Sequence, residues 1–193
     1  MKILLSAALA VLPLHCDTPA PAHTPTPAQQ CSGESREAVD ALQFSYGVLE
    51  PVDAAFRMVA ADCGWTQQSI DEWAPFLVYD VIAKESGGCW NVRRGVKLAN
   101  GGLNCEIARQ GKGSDSGFFQ LISIHYKPGK GWLCLEDGLC SSEAIISSPY
   151  TSMQAGVRLV QRSGKQGWCY SRAARSYHRG CATAPRGTPQ LVG

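Results

Sequence analysis

Nine cysteines in 193 residues constrain this chain more than any other feature. The first, Cys16, follows a stretch with the character of an export signal: Lys2, then an apolar run from Ile3 to Leu14 that is too short to span a bilayer. The other eight are Cys31, Cys63, Cys89, Cys105, Cys134, Cys140, Cys169 and Cys181. An even set in a chain expected to be exported reads as up to four disulfides, whose connectivity the sequence alone does not settle. Neighbour pairing (31–63, 89–105, 134–140, 169–181) is the working expectation. The spacings contain no paired C-x-x-C zinc pattern. Cys169, His178 and Cys181 form a conceivable ligand set, but no metal and no cofactor are expected. A nucleophilic pair such as Cys89 with His178 would need a free thiolate, against which the even count argues.

The same reading divides the chain. Residues 1–16 are expected to be a signal peptide or N-terminal anchor. Cys16 stands where a lipid-modified cysteine would, yet Pro13-Leu14-His15 lacks the small residue usually required before it; cleavage after Ala10 or Ala22 is the alternative. Residues 17–30 hold Pro19, Pro21, Pro25 and Pro27 among Thr and Ala, an extended linker. The folded domain is expected over 31–183, with a frayed tail over 184–193. No second apolar segment of spanning length follows the first, so a secreted or envelope-located, monomeric protein is expected, touching membrane only through its start. The net charge of +2 is too small to argue for a nucleic-acid partner.

Within the domain the periodicity is helical. Glu37–Leu49 reads as a loosely amphipathic helix interrupted by Pro51, and Val52–Ala61 as a second. Ser69-x-x-Glu72 has capping-box form, and the main helix is expected to begin just before Pro75, with Asp71 and Glu72 at its positive end. It runs to Glu85 and stops at Gly87-Gly88. Cys89–Gly113 reads as a long surface excursion, Ser116–Ser123 as extended, and Gly131–Ser142 as a loop. Ser148-Pro149 opens a strong helix over Tyr150–Arg162, and Trp168–His178 forms a last short one. The predicted class is mainly α with a small extended or hairpin element, an α+β arrangement held by several disulfides.

One position in the main helix departs from the pattern of a structural element. Leu77, Val78, Val81 and Ile82 form an apolar stripe, and its next member is Glu85. Asp80 and Lys84, an i,i+4 pair, read as the water-facing side. A carboxyl group closing an apolar stripe is favoured in its protonated form, which is the state a general acid needs. The alternative is a helix-end Glu that has simply reached solvent beside Ser86-Gly87-Gly88.

Four segments carry a resemblance. Glu85-Ser86 at the end of an apolar helix, Gly117-Phe118-Phe119-Gln120, a later helix with Ala155 and Leu159, and Tyr177-x-x-Gly180 come in the order seen in the lysozyme-like superfamily. From Trp73 to Cys181 the chain resembles soluble lytic transglycosylases of actinobacterial or phage type, whose E-S, G-L-M-Q and A-Y-N-x-G segments line one saccharide groove. The chain departs from them at Phe118 and Phe119, and at His178, which replaces the Asn after the tyrosine. The resemblance implies a peptidoglycan-cleaving enzyme acting on the MurNAc–GlcNAc β-1,4 bond. Glu85 would be the general acid, and Ser86, Gly117, Gln120 and Tyr177 would contact the glycan. Residue chemistry is compatible with that. Gln120 offers both a donor and an acceptor, Gly117 permits close approach, and Tyr177 can stack on a sugar or pack as a core aromatic.

Asp115 leaves the reaction open. Asp115-Ser116-Gly117-Phe118-Phe119-Gln120 also resembles the D-Y-G-x-x-Q segment of animal-type lysozymes, although 30 residues separate Asp115 from Glu85, more than in those enzymes. At about 5 Å from Glu85 it would stabilise or attack the sugar, and at about 6.5–9.5 Å it would activate water. As a plain turn residue it would leave Glu85 the only carboxylate, as in transglycosylases that release 1,6-anhydro products. A reading from another class stands beside these, a disulfide-rich wall-binding protein that does not cut.

Overall fold

A computed structural model of the chain describes residues 30–93, 105, 113 and 115–192. The expected signal, Cys16, nearly all of the linker, and most of the 89–113 excursion lie outside these residues. The described part is mainly helical, with almost no strand, and carries four disulfides. Cys31–Cys63, Cys89–Cys105, Cys134–Cys140 and Cys169–Cys181 pair as neighbours in sequence. Among the described residues no helix is long and apolar enough to cross a membrane.

The helices are α1 (Arg36–Asp40), α2 (Glu50–Asp62), α3 (Gln67–Phe76), α4 (Ala83–Glu85), α5 (Trp132–Asp137), α6 (Ser142–Ile145), α7 (Pro149–Ser163), α8 (Gln166–Cys169) and α9 (Arg172–Tyr177). The core forms where α2, α7 and the main helix meet. Val52, Phe56 and Val59 of α2, Leu77, Val78, Val81 and Ile82, and Met153, Val157 and Val160 of α7 are all fully buried. Burial of each such side chain contributes about 1.5–3 kcal/mol. Helix α7 starts as its sequence implied, with Pro149 at a tolerated first position and a capping box between Ser148 and Thr151.

Several expectations are corrected. The first helix ends at Asp40, and α2 opens at Glu50 with Pro51 in its first turn, a place where the missing N–H is harmless. The main helix begins at Gln67, capped by the Thr66 side chain accepting from the Ser69 N–H, so the Ser69-x-x-Glu72 pattern lies inside it. Pro75 is therefore interior. Immediately after it the chain continues without a break as a π-helical stretch, Leu77–Ile82, and then α4. Widened turns of this kind accommodate a disrupted i→i−4 ladder and concentrate at functional sites. Asp71 sits in the second turn and bonds Arg57 instead of facing the helix dipole.

The extended element shrinks to a tight loop, Ser116 and Leu121 exchanging both backbone hydrogen bonds around Gly117–Gln120, with Arg93 bridging to Ser116. Gly131–Ser142, expected as a loop, contains α5, closed by Gly138 in the left-handed conformation (φ 71°). The last helix is broken at Tyr170–Ser171, where Ser171 caps α9. The tail is pinned as far as Val192: Leu191 bridges to Trp65, the Thr66 N–H donates to Gln190 O, and the Val192 N–H donates to Gly64 O at 2.8 Å.

Helix α5 is tied to α7 through a buried ion pair. The Arg158 side chain is 2% exposed and its Nε donates to both carboxylate oxygens of Asp137, at 3.1 and 3.2 Å, while Nη2 reaches Glu136. Burial pushes the Asp137 carboxyl above its ordinary range and Arg158 pulls it back only in part. Removing one partner would leave the other charge buried and unpaired. Arg158→Met is expected to lower the unfolding free energy by about 3–5 kcal/mol. Adding Asp137→Leu should recover most of that loss, as read from urea midpoints.

Candidate active site

The main helix delivers Glu85 to the edge of the core. Its stripe is fully buried through Ile82, and Glu85, the next member, emerges with 24% of its side chain exposed. It opens into a cleft of about 720 Å³. Asp115 and Gln120 from the tight loop, His125 beyond it, and Tyr177 and His178 from the C-terminal segment line the same cleft, over a floor of Phe119, Leu159 and Trp168.

The loop wall is set by packing on α7. Phe119 enters the space left by Gly156, where a Cβ would stand 1.9 Å from the ring, and stacks at 5.4 Å from Trp168. The Ser152 hydroxyl accepts from the Phe118 N–H and donates to Trp90 O, both at 2.9 Å. Gly117 is needed here for a different reason from the one expected. Its φ is +81° and a Cβ would meet Ser152 Oγ at 2.6 Å, so the close approach is to α7 and not to a ligand. Gln120 has φ 49°, the one positive value among the described non-glycine residues. Backbone strain of this kind persists where the surroundings hold it and clusters at ligand clamps. The Gln120 amide donates to Gly117 O at 2.9 Å and Val92 O at 3.2 Å, which fixes its orientation at the cleft.

The opposite wall is joined to the main helix by reciprocal bonds. Lys84 Nζ donates to Tyr177 O at 2.6 Å, and the Tyr177 hydroxyl donates to Lys84 O at 2.9 Å. Burial, then the Glu85 and Asp80 charges, hold the Tyr177 phenol protonated to higher pH than usual. His178 is 2% exposed, and its Nε2 lies 2.9 Å from Glu85 Oε1. Behind the ring, Asp80 Oδ2 is 3.8 Å from Nδ1 and accepts from the Gly180 N–H at 3.0 Å. Asp80 and Lys84 do pair, but the pair faces the C-terminal segment and not water, with 14% of the Asp80 side chain exposed.

Glu85, Asp115, Gln120 and Tyr177 are thus gathered at one cleft. Ser86 is not: it is 2% exposed and its hydroxyl donates back to Ile82 O, which ends the helix. Gly117 lies behind the wall. Cys89, Cys169 and Cys181 are all in disulfides, so neither the Cys89–His178 nucleophile nor the Cys169/His178/Cys181 ligand set exists. Among the described residues no group of three or more His, Cys, Asp or Glu could hold a metal ion. Comparison with protein-family models, curated proteins and solved structures returns no match.

Sequence reasoning passed over Asp80, the pairing of His178 with Glu85, and His125. Asp80 reads from its spacing as belonging to the face opposite the Glu85 stripe, and the contact of His178 with Glu85 joins residues 93 apart, so neither had a local signal. His125 had none. Trp132 Nε1, a donor only, bonds its Nδ1 at 3.2 Å, so the ring proton of the neutral form sits on Nε2. Burial holds the His125 pKa below the usual value, keeping the ring neutral at neutral pH. A histidine with a lowered folded pKa takes up its proton more readily when unfolded. Stability is therefore expected to fall as pH drops below about 6.5 and to level off below the folded value. His125→Gln should show a smaller loss of unfolding free energy between about pH 7.5 and 5.5 than the parent chain.

Proposed function

We propose that this chain is an exported, lysozyme-like glycan-cleaving enzyme that acts on the MurNAc–GlcNAc β-1,4 bonds of peptidoglycan. The observation that carries the reading is the placing of Glu85. It ends a buried stripe, half enclosed at the rim of a cleft whose walls bring Gln120, Asp115 and Tyr177 around it. Breaking a glycosidic bond needs an acid beside the leaving oxygen and groups that hold the sugar on either side. Glu85 supplies the first. Gln120, with its amide direction fixed, and the half-exposed ring of Tyr177 supply the second. Four disulfides suit a small domain working outside the cell.

Within this reading the chain is a lytic transglycosylase. Glu85 protonates the leaving oxygen, and the 6-hydroxyl of the substrate's muramyl residue closes onto its own anomeric carbon, returning a proton to Glu85. A second reading, a hydrolase with Asp115 as the second carboxylate, is favoured by one observation: Asp115 lines the cleft that Glu85 opens into. The two differ in product. Mass spectrometry of digested peptidoglycan is expected to show 1,6-anhydro-muramyl ends; reducing ends would identify the hydrolase.

Glu85→Gln is expected to lower the clearing of cell-wall suspensions by at least about 100-fold, the scale of a lost general acid. Sedimentation with walls should be retained. Undiminished clearing by this variant would remove Glu85 from the reaction. No product from the parent chain, with wall binding intact, would identify a binding protein.

A further inference from the structure

His178 has a carboxylate oxygen opposite each ring nitrogen: Glu85 Oε1 at 2.9 Å from Nε2, and Asp80 Oδ2 at 3.8 Å from Nδ1. The ring is 2% exposed, and Nδ1 is buried without a hydrogen-bond partner among the described residues. A neutral imidazole carries one N–H. With both carboxylates ionised, whichever nitrogen lacks the proton directs a lone pair at a negative oxygen, and the burial of the ring leaves it little solvent to turn to. One further proton removes the conflict. Placed on the ring it gives an imidazolium between two carboxylates; placed on Glu85 it is donated to Nε2 while Nδ1–H faces Asp80.

We infer that Glu85 and His178 share one proton as a unit, oriented by Asp80, and that this pair, not a lone carboxylic acid, is what protonates the leaving group. His178 is a positioning residue acting through Glu85, and the inference rests on the glycan-cleaving reading above. The step balances. The electron pair of the scissile C–O bond goes to the leaving oxygen, which takes the shared proton. The pair regains a proton from the hydroxyl, of the muramyl residue or of water, that attacks the anomeric carbon. Other groups facing the ring do not supply that proton. Lys84 is spent on Asp80 and on Tyr177 O, and the Tyr177 ring stands edge-on at 4.7 Å with its hydroxyl bonded to Lys84 O. Tyr46, whose ring covers Gly87, comes from the N-terminal side and acts on Tyr177.

The test compares the pH profile of wall clearing by the full chain and by His178→Gln, which keeps an amide donor near the Nε2 position. A glutamate without the histidine must hold the proton alone. The alkaline limb of activity is therefore expected to move at least about one pH unit towards acid in the variant, with KM nearly unchanged. A variant whose activity is reduced equally at every pH would overturn the inference. Should the variant lose its cooperative melt, ¹⁵N NMR of the parent and of Glu85→Gln decides. In the parent, the His178 ring should keep its second proton, or share it, to a pH at least about one unit higher than in Glu85→Gln. Identical ring titrations would overturn the inference. Coupled titrations in a chain that releases no glycan product would leave the pair standing and sink the cleavage reading alone.

Discussion

The site depends on how Asp80 is held. One of its oxygens accepts from Gly180 and faces His178; the other takes Lys84. Through these contacts a single side chain on the main helix fixes the height of the C-terminal segment, the tilt of the imidazole and the reach of Lys84 to Tyr177 O. Gly180 is required by the same contact, since a Cβ there would stand 2.9 Å from Asp80 Oδ2 and 3.0 Å from the Phe76 ring. The Cys169–Cys181 disulfide closes the segment carrying α9 on itself, so the wall reaches Asp80 already restricted in its conformations.

The π-helical stretch explains why Asp80 can do this. In a regular α-helix, residues that share a face are three or four apart, and Asp80 would point away from Glu85. Over Leu77–Ile82 the wider turn brings positions five apart towards one side, while Leu77, Val78, Val81 and Ile82 stay in the core. Pro75, which cannot donate to the ladder, stands directly before that turn. A residue that by sequence should begin the helix thus marks the point where its geometry changes.

What was legible in the sequence followed from local signals: the apolar stripe ending in Glu85 and the Ser148-Pro149 start of α7 rest on residues close in sequence. The neighbour pairing of eight cysteines, which no local signal decided, is the pairing the structure has. Glu85, Gln120 and Tyr177, expected together, line one cleft, whereas Ser86 and Gly117 do not, because a small residue suits a groove, a helix end and a tight packing contact equally well. Gly117 is explained by Ser152 of α7, and Ser86 by Ile82 O. The tail, expected to be frayed, is held by backbone bonds to Gly64 and Thr66, contacts that its own sequence does not announce. Asp80 pairs with Lys84 as the i,i+4 spacing implies, but the C-terminal segment packs over the pair, a contact from 100 residues away that no local signal carries.

The histidine that follows Tyr177 has a definite physical content. An asparagine amide beside Glu85 could donate to the carboxylate but could not carry a proton between states. An imidazole can, and here it has a second carboxylate behind it to hold its orientation. The imidazole also requires the space it fills. His178 is enclosed by the Tyr177 ring, by Asp80 and by the backbone turn into Arg179–Ala182, so it is built into the wall. A buried histidine between two carboxylates raises the demand on every contact around it, since any loosening admits water and lets each carboxylate be solvated separately. The reciprocal Lys84–Tyr177 bonds, at the exposed lip of this wall, are the contacts that keep it closed.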